Sequence, residues 1–367
     1  MKKLVAALAA LLLSMIALPA SHAATPVIRI VDIPHRNFDG TFRDNDLLNS
    51  LTPGGKLGKA LFENNGTATW VIDAALIDEV LDMADGYDFK GKSDPVGEGI
   101  AQIWLQQLKI VTIGNPIVAL PYGNPDASMA NRLAGSELDY YSSTAQEKLE
   151  VFFNRPVISQ NGWGAGRSGL SFDFQRDYRS ERLLLLGLNK VVDSPEIDEL
   201  RLNLGRVLNP LLNSDDRAYW SYSATNAVKK VSNKLRVISG RYQLTSESVK
   251  VPLTLVNSFE TATTVNLSLI PMNSRVQVEN LSNITIPAKS RIQISVPFKV
   301  IAPGSTLVLA QFMTPQGNLV GQVSKLNLSL TVIDNRVTWF TTGAALLLFL
   351  AAITQSVRRI RRSRVEK

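Results

Sequence analysis

The stretch TATWVIDAALIDEVLDMA, residues 67–84, joins a run of apolar residues directly to a segment with helical periodicity. The run before Asp73 predicts a strand, and the residues after it place apolar side chains on one stripe of a helix. These apolar positions are Leu76, Ile77, Val80, Leu81 and Ala84. A strand that leads into an amphipathic helix is the repeating unit of an α/β layer, so this stretch predicts the fold of the N-terminal half.

Two flanking segments predict the same kind of unit. VIRIVDI, residues 27–33, and NPIVALPYG, residues 115–123, are each typical of a strand. The second follows apolar residues at helical spacing, namely Ile100, Ile103, Trp104, Leu108 and Val111. Beyond Glu147 the pattern is compatible with strands at PVIS and RLLLLGL, and with helices over 195–212 and 224–235. We therefore predict an α/β domain over residues 27–234, resembling a partial or degenerate β/α-barrel.

Residues 235–333 change to short runs that alternate apolar and polar positions. Such alternation predicts strands with one face on a core and one in water. The runs are VKVPLTLVN, TTVNLSLI, VQVEN, SRIQISVPFKV, STLVLAQFM and KLNLSLTV. An all-β immunoglobulin-like sandwich of about seven strands follows. Pro252 and Pro297 predict that their strands lie at edges or bulges, because proline cannot donate to a ladder.

Both ends of the chain carry targeting signals. Residues 1–23 combine two lysines, an apolar run and a small-residue cleavage pattern, which predicts a signal peptide. Residues 337–357 have about the length that crosses a bilayer, which predicts a transmembrane helix. The basic residues of 358–367 are typical of a cytoplasmic tail. We expect a single-pass plasma-membrane protein with its N-terminal domain outside and its tail in the cytoplasm.

Charge and cysteine content exclude several classes of function. The chain has 39 basic and 32 acidic residues, a net charge of +7. Without the two lysines of the signal peptide and the charges of the tail, 31 basic and 31 acidic residues remain. The part of the chain between the signal peptide and the tail, which we expect to lie outside the cytoplasm, is formally neutral. We therefore expect no nucleic-acid binding. The chain contains no cysteine, which excludes thiol catalysis and cysteine-ligated metal sites.

Polar residues stand where the three predicted strands end. They are Asp32 and His35, then Asp73, and then Tyr122, Asn124 and Asp126. Ligand-facing residues of parallel sheets come from the carboxyl ends of strands. Asp73 and Asp126 are therefore candidates for the acid and the base or nucleophile of a glycosidase. The alternative interpretation is that these two carboxylates cap the helices that follow them.

Other chemistries lack the residues that they need. Metal-dependent deacetylation requires a pair of histidines, whereas His35 is the one histidine after the signal peptide. No Gly-x-Ser-x-Gly motif indicates a serine hydrolase. GAGRSG, residues 164–169, fits the dinucleotide pattern, but the following LSFDFQ alternates like a strand. We predict no metal and no cofactor, and interpret the glycine-rich loop beside Trp163 as a candidate platform for sugar rings.

Several segments together resemble a known family. They are FRDNDLLNSLTPGGKLGKALF, WVIDAALIDEVLDMADGY, IAQIWLQQLK, VALPYGNPD, VPLTLVNS and TPQGNLVG. They resemble the actinobacterial secreted family defined by domain of unknown function 6049, of which this chain looks like a shortened member. The resemblance implies cell-envelope biology, because the family's genes are often found beside that of the lipid II flippase, but it implies no reaction. Among the residues that match the family's motifs are Asp85 and Tyr87.

The sequence leads to one main hypothesis and two alternatives. The main hypothesis is a non-catalytic domain on a sandwich stalk that binds peptidoglycan, another envelope polysaccharide or an envelope protein. Its ligand-binding candidates are Asp32, His35, Asp85, Tyr87, Tyr122 and Trp163. The alternatives are a glycoside hydrolase-like enzyme that uses Asp73 and Asp126, and a structural spacer.

Overall fold

The computed structural model describes residues 25–64, 66–159, 162–164, 166–331 and 335–363. The predicted signal peptide and the last four residues of the predicted tail lie outside this part of the chain. The described residues form two compact units. The first extends to Gly169 and includes Leu208–Leu212, and the second comprises Leu170–Val207 and the residues from Asn213 onward.

The first unit contains a parallel sheet and its connecting helices. Its elements are β1 (Val27–Ile30), α1 (Asp46–Leu51), α2 (Lys56–Phe62), β2 (Thr69–Asp73), α3 (Ala74–Ala84), β3 (Asp88–Phe89), β4 (Lys92–Ser93), α4 (Pro95–Val111), β5 (Ile117–Leu120), α5 (Ala127–Phe153) and β6 (Ile158–Ser159). The three strands and two helices predicted most clearly from the sequence are present. The order β1-β2-β5-β6 makes a half-barrel-like layer, in agreement with a partial barrel.

The burial of the two central strands explains why this sheet forms. All four residues of β5 are buried, and Trp70, Val71 and Ile72 of β2 are fully buried. Strands that are covered on both faces are near-continuous apolar runs, which is the pattern of parallel sheets. The polar residues that follow the strands therefore lie at the carboxyl edge of the sheet.

The connection between α1 and α2 is closely packed. A Cβ atom at Gly58 would lie 1.8 Å from the carbonyl oxygen of Thr52, and one at Gly55 would lie 2.2 Å from that of Asn49. No side chain fits at such distances without movement of the backbone. The glycines of the segment TPGGKLG thus allow these two short helices to approach each other.

The second unit combines helices with a β-sandwich. Its elements are α6 (Phe172–Asn189), α7 (Pro195–Asn203), α8 (Ser214–Ser232), β7 (Leu235–Val237), β8 (Gly240–Leu244), β9 (Ser248–Asn257), β10 (Thr263–Pro271), β11 (Val276–Val278), β12 (Leu281–Ile286), β13 (Ser290–Val300), β14 (Gly304–Met313), β15 (Leu319–Leu330) and α9 (Asn335–Ser363). The orders of the two sheets are β12-β10-β14-β15-β8 and β11-β13-β9-β7. The described sandwich therefore has nine strands where about seven are expected, because the short β7 and β8 give little alternation.

The prolines occupy local edges inside the sandwich. Pro252 of β9 pairs with Ser295 of β13, and Pro297 of β13 pairs with Lys250 of β9. By sheet order both strands are internal, contrary to the simplest form of the prediction. However, β7 pairs with β9 only from Leu255 onward, and β11 pairs with β13 only from Phe298 onward. Each proline thus lies where the outer neighbour does not reach, so no ladder bond is lost.

The helices that precede the sandwich differ from the prediction. LSFDFQ and RLLLLGL, interpreted as strands, are largely within α6, whose N-terminus is capped by the Ser171 hydroxyl as it accepts from the backbone N–H of Phe174 at 3.3 Å. Short apolar runs do not distinguish a strand from a buried helix. The predicted helix over 195–212 gives way after Asn203 to a 3₁₀ turn, and α8 begins before residue 224. These helices group with the sandwich, whereas the sequence analysis assigned them to the α/β domain.

The predicted transmembrane segment lies within α9. Among the described residues, no helix has the length and apolar character needed to span a membrane.

Candidate functional site

Asp73 lies at the end of β2 and begins α3. Its Oδ1 accepts hydrogen bonds from the backbone N–H of Ala75 at 3.0 Å and from that of Gly123 at 2.9 Å. The residue is 2% exposed. The capping interpretation raised from the sequence is therefore the one observed, and the second bond attaches the loop after β5 to the end of β2.

Asp126 has the same role at the start of α5. Its Oδ1 accepts from the backbone N–H of Met129 at 3.1 Å, and its Oδ2 accepts from that of Ser168 at 2.8 Å. The backbone N–H of Asp126 donates to the carbonyl oxygen of Leu208 at 2.9 Å. The buried carboxylate thus caps α5 and holds the glycine-rich loop, while the backbone N–H of the same residue holds the segment Leu208–Leu212. Both of its oxygens are engaged, unlike those of a carboxylate ready to attack a substrate.

Asp32, after β1, is the centre of a polar network. Its Oδ1 accepts from the backbone N–H of Ile33 and from Lys56 Nζ, each at 3.0 Å, and its Oδ2 accepts from the Ser50 hydroxyl at 3.2 Å. Burial alone would raise the pKa of this carboxyl group, but the neighbouring His35 and the Lys56 ammonium lower it to about 2. Asp32 is therefore ionised at neutral pH.

His35 is buried among three carboxylates. Its Nδ1 lies 3.5 Å from Asp44 Oδ1 and its Nε2 lies 3.9 Å from Asp32 Oδ2, distances that suit ion pairs better than hydrogen bonds. Its backbone N–H donates to the Glu79 carboxylate at 3.1 Å. Burial lowers the pKa of the imidazole, but Asp32, Glu79 and Asp44 together raise it above its usual value. The structure thus brings together two of the predicted residues, Asp32 and His35, as a buried ion network.

A pH-dependent effect on stability follows from this network. The folded-state pKa of His35 is raised, so its stabilising contribution is complete below the unfolded pKa of about 6.5 and is lost as the pH rises through the folded pKa. We expect His35→Gln to lower the free energy of unfolding by about 1–3 kcal/mol more at pH 6 than at pH 9. Thermal melting of the wild type and of His35→Gln over this pH range measures the difference in their stability. A difference that stays constant with pH would contradict a charged His35.

Of the other candidate residues, Tyr122 and Tyr87 make contacts within the fold, and Asp85 is exposed. The Tyr122 hydroxyl donates to Asp78 Oδ2 at 2.9 Å, and Lys148 Nζ lies 3.0 Å from the same oxygen. The Tyr87 ring packs edge-on against Phe42 with 5.0 Å between the centroids, and its hydroxyl donates to Asn45 Oδ1. Burial, with the nearby charges of Asp94 and Asp44, raises the pKa of Tyr87 to about 12. Asp85 is exposed at the C-terminus of α3.

Trp163 is half-buried at the sheet. Its side chain packs against a buried cluster of Val71, Val118 and Leu120 at the sheet. Its carbonyl oxygen accepts a hydrogen bond from the Arg29 guanidinium. The interpretation as a sugar platform is therefore less well supported than a role in closing the core.

Sequence reasoning missed three carboxylates of this region. Glu79 receives the backbone N–H groups of His35 and Arg36, Asp44 faces the imidazole, and Asp78 receives the Tyr122 hydroxyl. The sequence could have indicated Glu79, because this residue lies on the buried stripe of α3, where a charged side chain requires a partner. Within the described residues, no group of three or more histidine or acidic side chains is arranged to hold a metal ion.

Comparison with known proteins gives one family. Residues 189–364 match the family of unknown function DUF6049. The chain belongs to this family. The match begins at the end of α6 and includes the sandwich, whereas the segments between residues 42 and 126 that resemble the family lie outside it. No curated protein shows significant similarity to the DUF6049 chain.

Similarity to solved structures involves about a quarter of this DUF6049 protein. WR4, a member of the MSP family from C. elegans, is 9% identical over 26% of this chain and 97% of its own, with a TM-score of 0.21. Alpha-2-macroglobulin from Salmonella reacted with methylamine is 14% identical over 26% of this chain and 7% of its own, with a TM-score of 0.21. The PapD-like domain 7 of human CEP192 is 11% identical over 28% of this chain and 87% of its own, with a TM-score of 0.21.

Proposed function

We propose that this DUF6049 protein is a single-pass, membrane-anchored protein that binds a component of the cell envelope without catalysing a reaction on it. Its parallel-sheet unit and its sandwich would lie outside the cytoplasm and its basic tail inside. The ligand would be peptidoglycan, another envelope polysaccharide or an envelope protein.

The exposed apolar surface of α9 is the observation that carries the anchoring part of this proposal. Five consecutive residues, Leu346 to Leu350, are between 51% and 72% exposed. Successive residues of an α-helix point about 100° apart, so five in a row surround the axis. A helix that is apolar on all sides is stable in a protein core or in a bilayer, but not in water. The arginines from Arg358 onward would place the C-terminal end in the cytoplasm.

The state of the strand-end carboxylates supports binding over catalysis. A glycosidase requires two carboxyl groups that face one cleft and can exchange a proton or attack a sugar. Asp73 and Asp126 instead accept backbone N–H groups at the starts of α3 and α5. The formally neutral exterior favours a glycan or protein ligand over a nucleic acid.

Alkaline extraction of membranes tests the anchoring. We expect the full chain to remain in the membrane pellet, and a double variant with Leu347→Arg and Leu348→Arg to be released in larger part, because charged side chains are costly at the centre of a bilayer. Ile113→Arg is a matched control, since Ile113 is 74% exposed but lies in the first unit. Release of the unmodified chain by alkali would contradict the proposal.

Retention on isolated cell walls and crosslinking in cells test the binding. We expect the full chain to sediment with peptidoglycan or envelope polysaccharide, or to crosslink to an envelope protein. Failure of every one of these assays, or release of reducing ends from the glycan by the pure protein, would contradict a non-catalytic binding role.

A further inference from the structure

A groove on the second unit remains unexplained by the roles described above. It lies between α6 and the hairpin formed by β14 and β15, and has a volume of about 660 Å³. Clefts of roughly 300–1,000 Å³ are typical of small-molecule sites. The turn of this hairpin is part of TPQGNLVG, one of the segments that resemble the family.

The groove gathers apolar side chains that are exposed to water. Leu183 of α6 is 54% exposed, and Leu319 and Val323 of β15 are 57% and 48% exposed. Exposed apolar residues that share one concave surface indicate a binding surface more strongly than the same residues scattered singly.

An irregularity in the hairpin contributes residues to the lining of the groove. Ala310 pairs with Ser324 and Phe312 pairs with Val320, so three residues of β15 oppose the single residue Gln311 of β14. The Gln311 side chain donates to the Gly321 carbonyl oxygen at 3.1 Å and stabilises this bulge. Bulges redirect side chains and are common beside binding sites, and here the bulge includes Val323, one of the residues that line the groove.

The close approach of α6 to β15 indicates which kind of ligand the groove can bind. A Cβ atom at Gly187 would lie 2.4 Å from the carbonyl oxygen of Leu319. The helix therefore covers the strand edge at this point, which leaves no room for a peptide to add as a further strand. Recognition would then depend on apolar side chains and on the few polar groups at the rim.

The rim has a single charge. Lys190 is the one charged residue that lines the groove, and within the described chain it has no carboxylate as an ion-pair partner. The other polar side chains that line the groove are those of Ser180, Gln311, Asn318 and Gln322, all of them uncharged. An apolar body with one anionic group complements this arrangement.

We propose that the groove between α6 and the β14–β15 hairpin binds a fatty-acyl carboxylate, with the acyl chain on Leu183, Leu319 and Val323 and the carboxylate at Lys190. The groove is a property of the folded second unit, so this proposal does not depend on the proposed anchoring or on the envelope ligand.

Photolabelling of the full chain in phosphatidylcholine nanodiscs tests the proposal. The probes are a photoreactive long-chain fatty acid and the corresponding fatty alcohol, and mass spectrometry maps the labelled residues. We expect the acid to label the groove segments of α6 and β15, and excess unlabelled fatty acid to prevent this labelling. We expect Leu319→Asp to reduce it about tenfold, because a carboxylate would be placed against the acyl chain.

Two further variants make the test specific. Ile270→Asp is the matched control, since Ile270 is a strand residue that is 56% exposed and does not line the groove, and we expect unchanged labelling. Lys190→Glu should weaken labelling by the acid about fivefold and leave labelling by the alcohol unchanged. Thermal melting confirms that each variant is folded. Labelling confined to α9, labelling that Leu319→Asp does not reduce, or equal effects of Lys190→Glu on both probes would overturn the proposal.

Discussion

Replacing Asp126 by alanine is expected to lower the free energy of unfolding of the first unit by about 2–4 kcal/mol. The change removes the cap of α5 and leaves the backbone N–H groups of Met129 and Ser168 without their acceptor. Buried donors without partners are costly because they have lost their hydration. Thermal and denaturant unfolding, followed by tryptophan fluorescence, measure the loss.

Asparagine variants separate a capping role from a chemical one. The backbone N–H groups of Ala75 and Gly123 both donate to the same oxygen of Asp73, so Asp73→Asn can keep that acceptor and should change stability by less than about 1 kcal/mol. Asp126 uses both oxygens, so Asp126→Asn loses the bond from Ser168 and should cost about 1–2 kcal/mol. Asp85→Ala, at an exposed position, should have little effect. If Asp73→Asn remained stable but lost a measurable activity on envelope glycan, the carboxylate would have a catalytic role after all.

Replacing Glu181 by glutamine is expected to stabilise the protein above neutral pH. Glu181 of α6 is 7% exposed and accepts a hydrogen bond from the Thr225 hydroxyl of α8. Burial raises the pKa of its carboxyl group to about 7, and the charge of Asp177 acts in the same direction, whereas the bond from Thr225 opposes the rise. The folded state therefore favours the protonated carboxyl group.

The sign of the effect follows from proton linkage. Between about pH 4.5 and pH 7 the folded state binds more protons at Glu181 than the unfolded state, so the stability that this group contributes is complete below pH 4.5 and decreases as the pH rises. At pH 8 the neutral glutamine avoids the cost of a buried charge, and we expect Glu181→Gln to gain up to about 3 kcal/mol over the wild type. The gain should disappear near pH 4.5.

A matched variant tests the origin of this effect. Glu279 is exposed in the same unit, so Glu279→Gln should leave the dependence of stability on pH unchanged. Melting temperatures measured between pH 4.5 and pH 9 compare the three proteins. A gain for Glu181→Gln that does not vary with pH would show that the carboxyl group is not titrating in the folded state.

Local patterns predicted the elements whose own residues show a clear periodicity. The strand Thr69–Asp73 and the helix Ala74–Ala84 follow from an apolar run, a stripe at helical spacing and a capping aspartate, all within 20 residues. The long strands of the sandwich were predicted because each has one face on a core and one in water. The segment that became α6 was interpreted wrongly because a short apolar run fits a strand and a buried helix equally.

The candidate site shows the limit of such reasoning. The positions of Asp73 and Asp126 at strand ends are visible in the sequence, but their partners, Gly123 and Ser168, are more than 40 residues away. His35 likewise meets Asp44 and Glu79 only because the loop after β1 folds onto α3. No periodic pattern encodes which distant N–H group or charge reaches a given carboxylate.

The sequence by itself determined the parallel α/β layer, the sandwich that follows it and the formally neutral charge between the two ends, because periodicity and composition are properties of neighbouring residues. Only the tertiary structure decided that the strand-end carboxylates cap helices, that His35 is buried among acids and that α6 forms a groove with a hairpin about 130 residues further along. These features depend on burial and on contacts between distant segments, which arise when the chain packs.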